Sequence, residues 1–140
     1  MPVVILIMGL PGSGKTTLSI ELMKLMDDTE WFNADQVRAA YNDWDFSFDG
    51  RVRQARRMHD YAKSSKAKYC ILDFVCPLKE MREMINPDVL VWIDTDNQST
   101  YSDTNQIFMK PLEFTFRITE RNAPKWSKKI FNYLLKKEKK

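Results

Sequence analysis

The segment GLPGSGKT begins at Gly9 and directly follows the apolar run VVILIM. Within it, Gly9, Gly14, Lys15 and Thr16 match the pattern G-x-x-x-x-G-K-[ST]. Glycines at these places let successive backbone N–H groups point inward around an anion, and a following helix adds the partial positive charge of its N-terminus. The apolar run is rich in β-branched residues, which is typical of a strand buried on both faces. The segment therefore predicts a phosphate-binding loop between a buried strand and a helix.

Two side chains of this loop predict what it binds. We expect Lys15 to place its charge on the β- and γ-phosphates of a nucleoside triphosphate, and the Thr16 hydroxyl to ligand Mg²⁺. The expected cofactors are therefore ATP and Mg²⁺. The residues expected to hold the nucleotide are Gly9, Pro11, Gly12, Ser13, Gly14, Lys15, Thr16 and Thr17.

The remainder of the chain alternates apolar runs with amphipathic segments. Strands are predicted at residues 3–8, 30–32, 68–75 and 87–94, and helices at 16–26, 50–66, 78–85 and 123–140. A helix is also expected to start near residue 34. Strands that alternate with helices predict an α/β fold, a parallel sheet with helices on both faces. At 140 residues, the chain is expected to form one domain over residues 1–140.

Composition limits the class of protein. The net charge is +3 and the hydrophobic fraction 44%, so composition alone does not indicate nucleic-acid binding. No charged leader precedes the first apolar run and no apolar stretch has the length of a membrane span, so we expect a cytoplasmic protein with no membrane partner. Cys70 and Cys76 match no zinc spacing and are expected to be buried, reduced thiols. The lone histidine, His59, is given no role.

Two aspartates are candidates for metal binding or proton transfer. Asp35 follows the second predicted strand and Asp73 lies near the end of the third, so both fall where ligand crevices form in parallel sheets. Asp73 is set within a very apolar run, where a carboxylate is costly to bury without a partner. We expect Asp73 to face the phosphate loop and Asp35 to lie near an acceptor hydroxyl or the water shell of the metal. A helix cap or a structural ion pair is the alternative for either residue.

The segment NADQVRAAYNDWDFSFDGRVRQARR resembles a stretch of the adenylylsulfate (APS) kinase family. Family members carry an aspartate-glycine-aspartate-asparagine-valine-arginine block, then a GFS turn, an arginine and an asparagine. In this chain the corresponding positions begin at Asn33, and Arg38, Phe46, Arg51 and Gln54 keep the family spacing. CILDFVCPLKEMR and VLVWIDTD resemble the next two strands of the family. The resemblance runs from residue 3 to about residue 95 and implies a P-loop kinase fold with a short lid.

The resemblance implies an activity and an acceptor site. APS kinases transfer the γ-phosphate of ATP to the ribose 3′-hydroxyl of APS, giving PAPS, a step of sulfate assimilation. By resemblance, Phe46 stacks on the acceptor adenine, Arg38 and Arg51 bind its phosphosulfate, and Gln54 helps to hold it. Phe74 and Lys110 complete the expected acceptor-binding set. These residue types suit such an acceptor, because arginine binds multi-oxygen anions and aromatic rings stack on nucleobases.

Several positions depart from the family. Asn33 stands where the family has its first acidic residue, so Asp35 or Asp73 must supply the carboxylate. Ala34 replaces a glycine and Cys76 a serine. In the lid segment, Asp103, Phe108 and Lys110 remain, but Ser102 replaces an arginine, which would weaken charge neutralisation. The short lid suggests a trimmed member of the kind that a phage genome carries.

Alternatives follow from these departures. The acceptor could instead be a polynucleotide end, a modified DNA base or another nucleotide, although nucleic acid is the weaker candidate partner. A nucleotide-binding protein without catalysis is a third reading, based on Asn33 and Ser102. The basic run RVRQARR could be a solvated helix face, and Arg53 and Arg57 are expected to be plain surface. A homodimer is a further possibility that the sequence leaves open.

Overall fold

The computed structural model describes residues 2–95 and 107–138. Within them, five strands form one sheet in the order β2-β3-β1-β4-β5, and every neighbouring pair is parallel. The strands are β1 (Val3–Met8), β2 (Thr29–Asn33), β3 (Tyr69–Asp73), β4 (Val89–Ile93) and β5 (Phe116–Ile118). The helices are α1 (Lys15–Leu25), α2 (Ala34–Tyr41), α3 (Phe48–Ser64), α4 (Lys79–Ile85) and α5 (Ala123–Glu138). The predicted parallel α/β sheet is confirmed.

Alternate side chains of the central strand β1 enter two separate hydrophobic clusters. Ile5 and Ile7 pack with residues of α1 and α5, whereas Leu6 and Met8 pack with residues of α2, α3 and α4. All four side chains are fully buried, because successive side chains of a strand point to opposite faces and both faces carry helices. The expected covering of both sheet faces by helices is therefore confirmed.

One strand was not predicted from the sequence. β5 has three residues and pairs only with β4 at the edge of the sheet. A segment this short carries too few residues to show a periodic pattern. It brings residues 119–123 beside the phosphate loop, which matters for the second cavity described below.

The structure bears on the two cysteines and on the question of membrane-spanning helices. Cys70 and Cys76 are buried free cysteines, and burial raises the pKa of each thiol to about 12. In residues 2–95 and 107–138, no helix combines the length and the apolar character that crossing a membrane requires.

The topology brings three strand ends together. β3 lies between β2 and β1, and the register pairs Asn33 with Asp73 and Asp73 with Ile7. The phosphate loop after β1, the end of β2 and the end of β3 therefore meet at one edge of the sheet. This is the edge at which open α/β sheets bind their ligands.

Candidate active site

The phosphate loop connects β1 to α1 and borders two cavities. Lys15 is the first residue of α1, and its Nζ donates a 3.0 Å hydrogen bond to the carbonyl oxygen of Leu10. Gly14 and Thr17 line both cavities. The larger cavity has a volume of about 830 Å³ and the smaller one about 350 Å³. The loop thus lies between two cavities and at a helix N-terminus, where backbone N–H groups favour anions.

Gly9 is required by the close packing at the start of this loop. A Cβ atom at this position would lie 2.6 Å from the carbonyl oxygen of Ile93 and 2.7 Å from Ser13 Oγ. Both distances are too short for non-bonded atoms, and the first neighbour belongs to the backbone of β4. The first glycine of the pattern therefore allows the loop to turn against the neighbouring strand.

Thr16, Asn33 and Asp73 form a hydrogen-bonded group at the floor of the larger cavity. Thr16 Oγ1 donates a 2.8 Å hydrogen bond to Asp73 Oδ2, and Asn33 Nδ2 donates a 3.1 Å bond to the same oxygen. Asn33 Oδ1 also accepts a hydrogen bond from the backbone N–H of Gln36 and so caps α2. Asn33 therefore joins the start of α2 to the carboxylate at the end of β3.

Opposing effects act on the Asp73 carboxyl, which is only 3% exposed. Burial raises its pKa above the ordinary aspartate value, while the Thr16 hydroxyl, the Lys15 charge and the Asn33 amide act in the opposite direction. Burial likewise lowers the pKa of Lys15, and Asp73 and Asp35 oppose that change. The charges of Lys15 and Asp73 therefore each stabilise the ionised form of the other.

Asp35 lies in the first turn of α2 and lines the larger cavity together with Lys15 and Asp73. Unlike Asp73, its side chain is exposed. Its charge acts on Lys15. Both candidate carboxylates thus lie in one cleft, one enclosed against the loop and one open to it.

The oxygen atoms of this cleft fit a magnesium ion. No group of three His, Cys, Asp or Glu residues that could hold a metal occurs in the part of the chain that the structure describes. Mg²⁺ does not need such a group, since it prefers one or two carboxylates completed by water and substrate phosphates. The hydroxyl of Thr16 and the carboxylate of Asp73 are 2.8 Å apart beside the phosphate loop, which is a donor set of that kind.

The larger cavity is also lined by Arg38, Arg51 and Phe46. Both arginines are buried, while Phe46 is half exposed. The Arg38 guanidinium lies 4.3 Å from the centre of the Phe46 ring, and that of Arg51 lies 5.3 Å from it. Cations and an aromatic face are thus held together near the phosphate loop.

These arginines also bind the backbone of the α2–α3 loop, residues 42–47. Arg38 Nη1 donates to the carbonyl oxygens of Asp43 and Asp45 at 2.9 and 3.2 Å. Arg51 Nε donates to the carbonyl oxygen of Phe46 at 2.8 Å. The two side chains therefore hold the loop in shape as well as line the cleft.

Arg53 is exposed, as expected, and Arg57 is partly buried, but both also form ion pairs that the sequence did not predict. Arg53 forms ion pairs with Asp43 at 2.8 Å and with Asp45 at 3.1 Å, and Arg57 pairs with Asp43 at 2.8 Å. Hydrogen bonding from Arg53 holds the pKa of Asp43 well below its ordinary range. The expectation missed these pairs because the acidic partners come from the preceding loop, which spacing within the helix does not reveal.

The remaining acceptor-side residues take different positions. Phe74 lines the larger cavity, with Val75 and Pro77. Gln54 is fully buried, and its Nε2 donates a 2.8 Å hydrogen bond to the carbonyl oxygen of Ala34. The described residues that line the two cavities do not include Gln54 or the exposed Lys110. Ser102 and Asp103 lie outside the described residues.

The smaller cavity contains residues that the sequence had not suggested. Thr95 Oγ1 donates a 2.7 Å hydrogen bond to the carbonyl oxygen of Ser13, and Arg121 Nη2 donates a 2.8 Å bond to that of Gly12. Ile118 and Trp126 add apolar walls, and Arg121 lines both cavities. Ile118 lies in β5 and Arg121 follows it, so overlooking that strand meant overlooking these two residues, whereas Thr95 and Trp126 belong to segments next to or within predicted elements.

Comparisons with known proteins agree with this geometry. The family model described as adenylylsulphate kinase matches residues 1–110. A search of curated proteins finds no match.

Solved structures share the fold at low identity. The Mycobacterium tuberculosis APS kinase CysC in complex with AMPPNP and APS is 19% identical, with a TM-score of 0.77 over 95% of this chain and 97% of that chain. The Acinetobacter baumannii shikimate kinase in complex with shikimate is 16% identical, with a TM-score of 0.66 over 100% and 97%. A Sinorhizobium meliloti gluconokinase is 12% identical, with a TM-score of 0.64 over 97% of each chain. The expected P-loop kinase fold is thereby confirmed.

Proposed function

Because the chain belongs to the adenylylsulphate kinase family, we propose that it transfers the γ-phosphate of ATP to the 3′-hydroxyl of APS, giving PAPS. One observation carries this proposal. The phosphate loop, the Thr16–Asp73 pair and the Arg38–Phe46–Arg51 group all line a single cavity. A phosphate group bound by the loop and an anionic acceptor bound by the arginines and Phe46 would therefore meet in this cavity beside Lys15.

ATP is assigned to the loop and the smaller cavity. The loop binds the phosphates, with Lys15 and the N-terminus of α1 supplying positive charge. The cavity between Thr95, Ile118, Arg121 and Trp126 has apolar walls for a base and shares Gly14 and Thr17 of the loop with the larger cavity. Arg121, which reaches the loop at Gly12, adds a cation beside the phosphates.

Thr16 and Asp73 are the residues that would hold Mg²⁺. When bound, the ion supplies charge neutralisation at the β- and γ-phosphate oxygens. Asn33 positions the Asp73 carboxylate through its amide hydrogen bond. In this chain the carboxylate therefore comes from β3, and the neighbouring strand β2 supplies an amide.

The transfer step requires little covalent chemistry from the protein. The acceptor hydroxyl oxygen forms a bond to the γ-phosphorus while the bond from that phosphorus to the β,γ-bridging oxygen breaks, and ADP leaves with the electron pair. We assign the hydroxyl proton to Asp35, which lines the same cleft with its side chain open to it. Lys15 stabilises the charge on the transferred group.

The acceptor is assigned to the Arg38–Phe46–Arg51 end of the cleft. Arginine offers forked donors that suit phosphate and sulfate oxygens, and Phe46 offers a face to a base. Phe74 extends the apolar surface. Gln54 contributes indirectly, because its bond to Ala34 joins α3 to the start of α2.

The experiment offers acceptors in turn with Mg²⁺-ATP and measures ADP release. The panel is APS, AMP, shikimate, gluconate and a 5′-hydroxyl oligonucleotide, with Lys15→Ala as the blank. The proposal predicts the highest kcat/KM for APS. A higher kcat/KM for another acceptor would support the kinase activity but reject APS as the acceptor. Tight ATP binding with no turnover on any acceptor would favour a nucleotide-binding protein without catalysis.

A further inference from the structure

A second aromatic side chain, Trp44, lines the larger cleft beside Phe46. Trp44 is 52% exposed and Phe46 50% exposed. Half-exposed rings of this size leave apolar surface in water, and exposed apolar surface inside a polar-rimmed cleft marks a ligand site.

The backbone on both sides of Trp44 is held in place. Asp43 and Asp45 flank it, and Arg38 donates hydrogen bonds to both of their carbonyl oxygens. From the other side, Arg53 pairs with both of their carboxylates. The tryptophan therefore lies at the apex of a loop whose two flanking residues are each bound by the same two arginines.

Additional contacts hold the loop against α3. Asp45 accepts a hydrogen bond from the backbone N–H of Ser47, and Ser47 caps the helix by accepting from Gly50. A ring presented from such a loop loses little conformational freedom when a ligand binds, because its backbone is already ordered. Trp44 is thus prepared for binding.

Relying on the proposed kinase function, we propose that Trp44 is an acceptor-binding residue that, with Phe46, selects a flat heterocyclic ring. Arg38 and Arg51, which lie by Phe46, would then receive the anionic group next to that ring. This chemistry describes a nucleotide acceptor. It does not describe an aliphatic polyol acid such as shikimate or gluconate, which has no π-face to stack.

The test uses three variants of the full chain: Trp44→Ala, Trp44→Phe and Phe48→Ala. Phe48 is the matched control, since it is 57% exposed close by but does not line either cavity. Trp44→Ala is expected to raise the KM for APS about 5- to 150-fold, the equivalent of about 1–3 kcal/mol of stacking per base at 1.4 kcal/mol per tenfold. Trp44→Phe is expected to keep most of the affinity for APS. Phe48→Ala is expected to leave the KM for APS unchanged, and the KM for ATP is expected to stay the same in all three variants.

A binding measurement separates this inference from the proposed function. Tryptophan fluorescence is titrated with APS in the absence of ATP, for the wild type and for Trp44→Phe. Quenching that is lost in Trp44→Phe supports the role of Trp44 even if no acceptor turns over. Equal quenching in both proteins, or a Trp44→Ala variant with the wild-type KM for APS, overturns it and leaves the kinase assignment intact.

Discussion

Asn33 and Asp73 are register partners on neighbouring parallel strands, and the Asn33 amide donates a 3.1 Å hydrogen bond to the Asp73 carboxylate. This bond favours the charged form of a buried acid whose pKa burial has raised. Removing the donor should therefore raise that pKa further.

Asn33→Ser tests this effect, because serine still offers an oxygen to cap α2 but has no amide to reach Asp73. In the metal-free protein, we expect the Asp73 carboxyl to titrate above the ordinary value of about 3.9, and at still higher pH in Asn33→Ser. Carbon-13 NMR of labelled aspartate measures both midpoints. An Asp73 midpoint that stays the same or falls in the variant would contradict the bond as described.

Exchanging the two side chains tests whether the carboxylate is tied to one strand. Asp73→Asn is expected to lower kcat/KM by about 10²–10³, the scale of losing one group that stabilises the transition state. Adding Asn33→Asp returns a carboxylate to the paired position, which also lies within 3.4 Å of Thr16 Oγ1. The double variant should recover about tenfold or more of the lost kcat/KM. A kcat/KM no better than that of Asp73→Asn would show that a carboxylate on β2 cannot replace the one on β3.

Thr16 should be needed for its hydroxyl rather than for its shape. Thr16→Val keeps the volume but loses the 2.8 Å bond to Asp73 and the oxygen for Mg²⁺. We expect a fall in kcat of about 10²–10³ and a higher Mg²⁺ concentration at half-maximal rate. Thr16→Ser retains the hydroxyl and serves as the control. Equal activity of the valine and serine variants would remove Thr16 from the metal site.

Gly50 allows the α2–α3 loop to lie against α3. A Cβ atom there would overlap the carbonyl oxygen of Asp45 and come within 2.5 Å of Asp45 Cγ, so Gly50→Ala must displace the loop that carries Trp44 and Phe46. We expect a higher KM for the acceptor with an unchanged KM for ATP. Asp49→Ala, in the same helical turn, is the control and should leave both constants near the wild-type values. An unaltered acceptor KM in Gly50→Ala would show that the loop position does not matter for binding.

The strands and the phosphate loop were predictable because their signals are local. A buried parallel strand such as β1 reads as a continuous apolar run, and the glycine pattern follows it directly. The central strands β3 and β4 were found in the same way. The edge strand β5, with three residues, has no such signal.

The arrangement of the arginines could not be predicted, because each partner choice depends on the tertiary path of the loop. Arg53 lies at the surface, as expected, but its ion pairs with Asp43 and Asp45 were not predicted. Gln54 was expected to hold the acceptor, and the structure instead gives its amide a fully buried bond to Ala34. The residue types of this arginine-rich segment predicted that it could bind anions. The partners of the individual side chains could be assigned only from the folded structure.

The proposed transfer is tested most directly by following the label from γ-³²P-ATP in a single turnover with APS and Mg²⁺. We predict that the label appears on the 3′-oxygen of APS in the wild type, and that Lys15→Ala transfers none within the same time. Label found only as inorganic phosphate, transfer that persists in Lys15→Ala, or ATP that stays bound and uncleaved would contradict it.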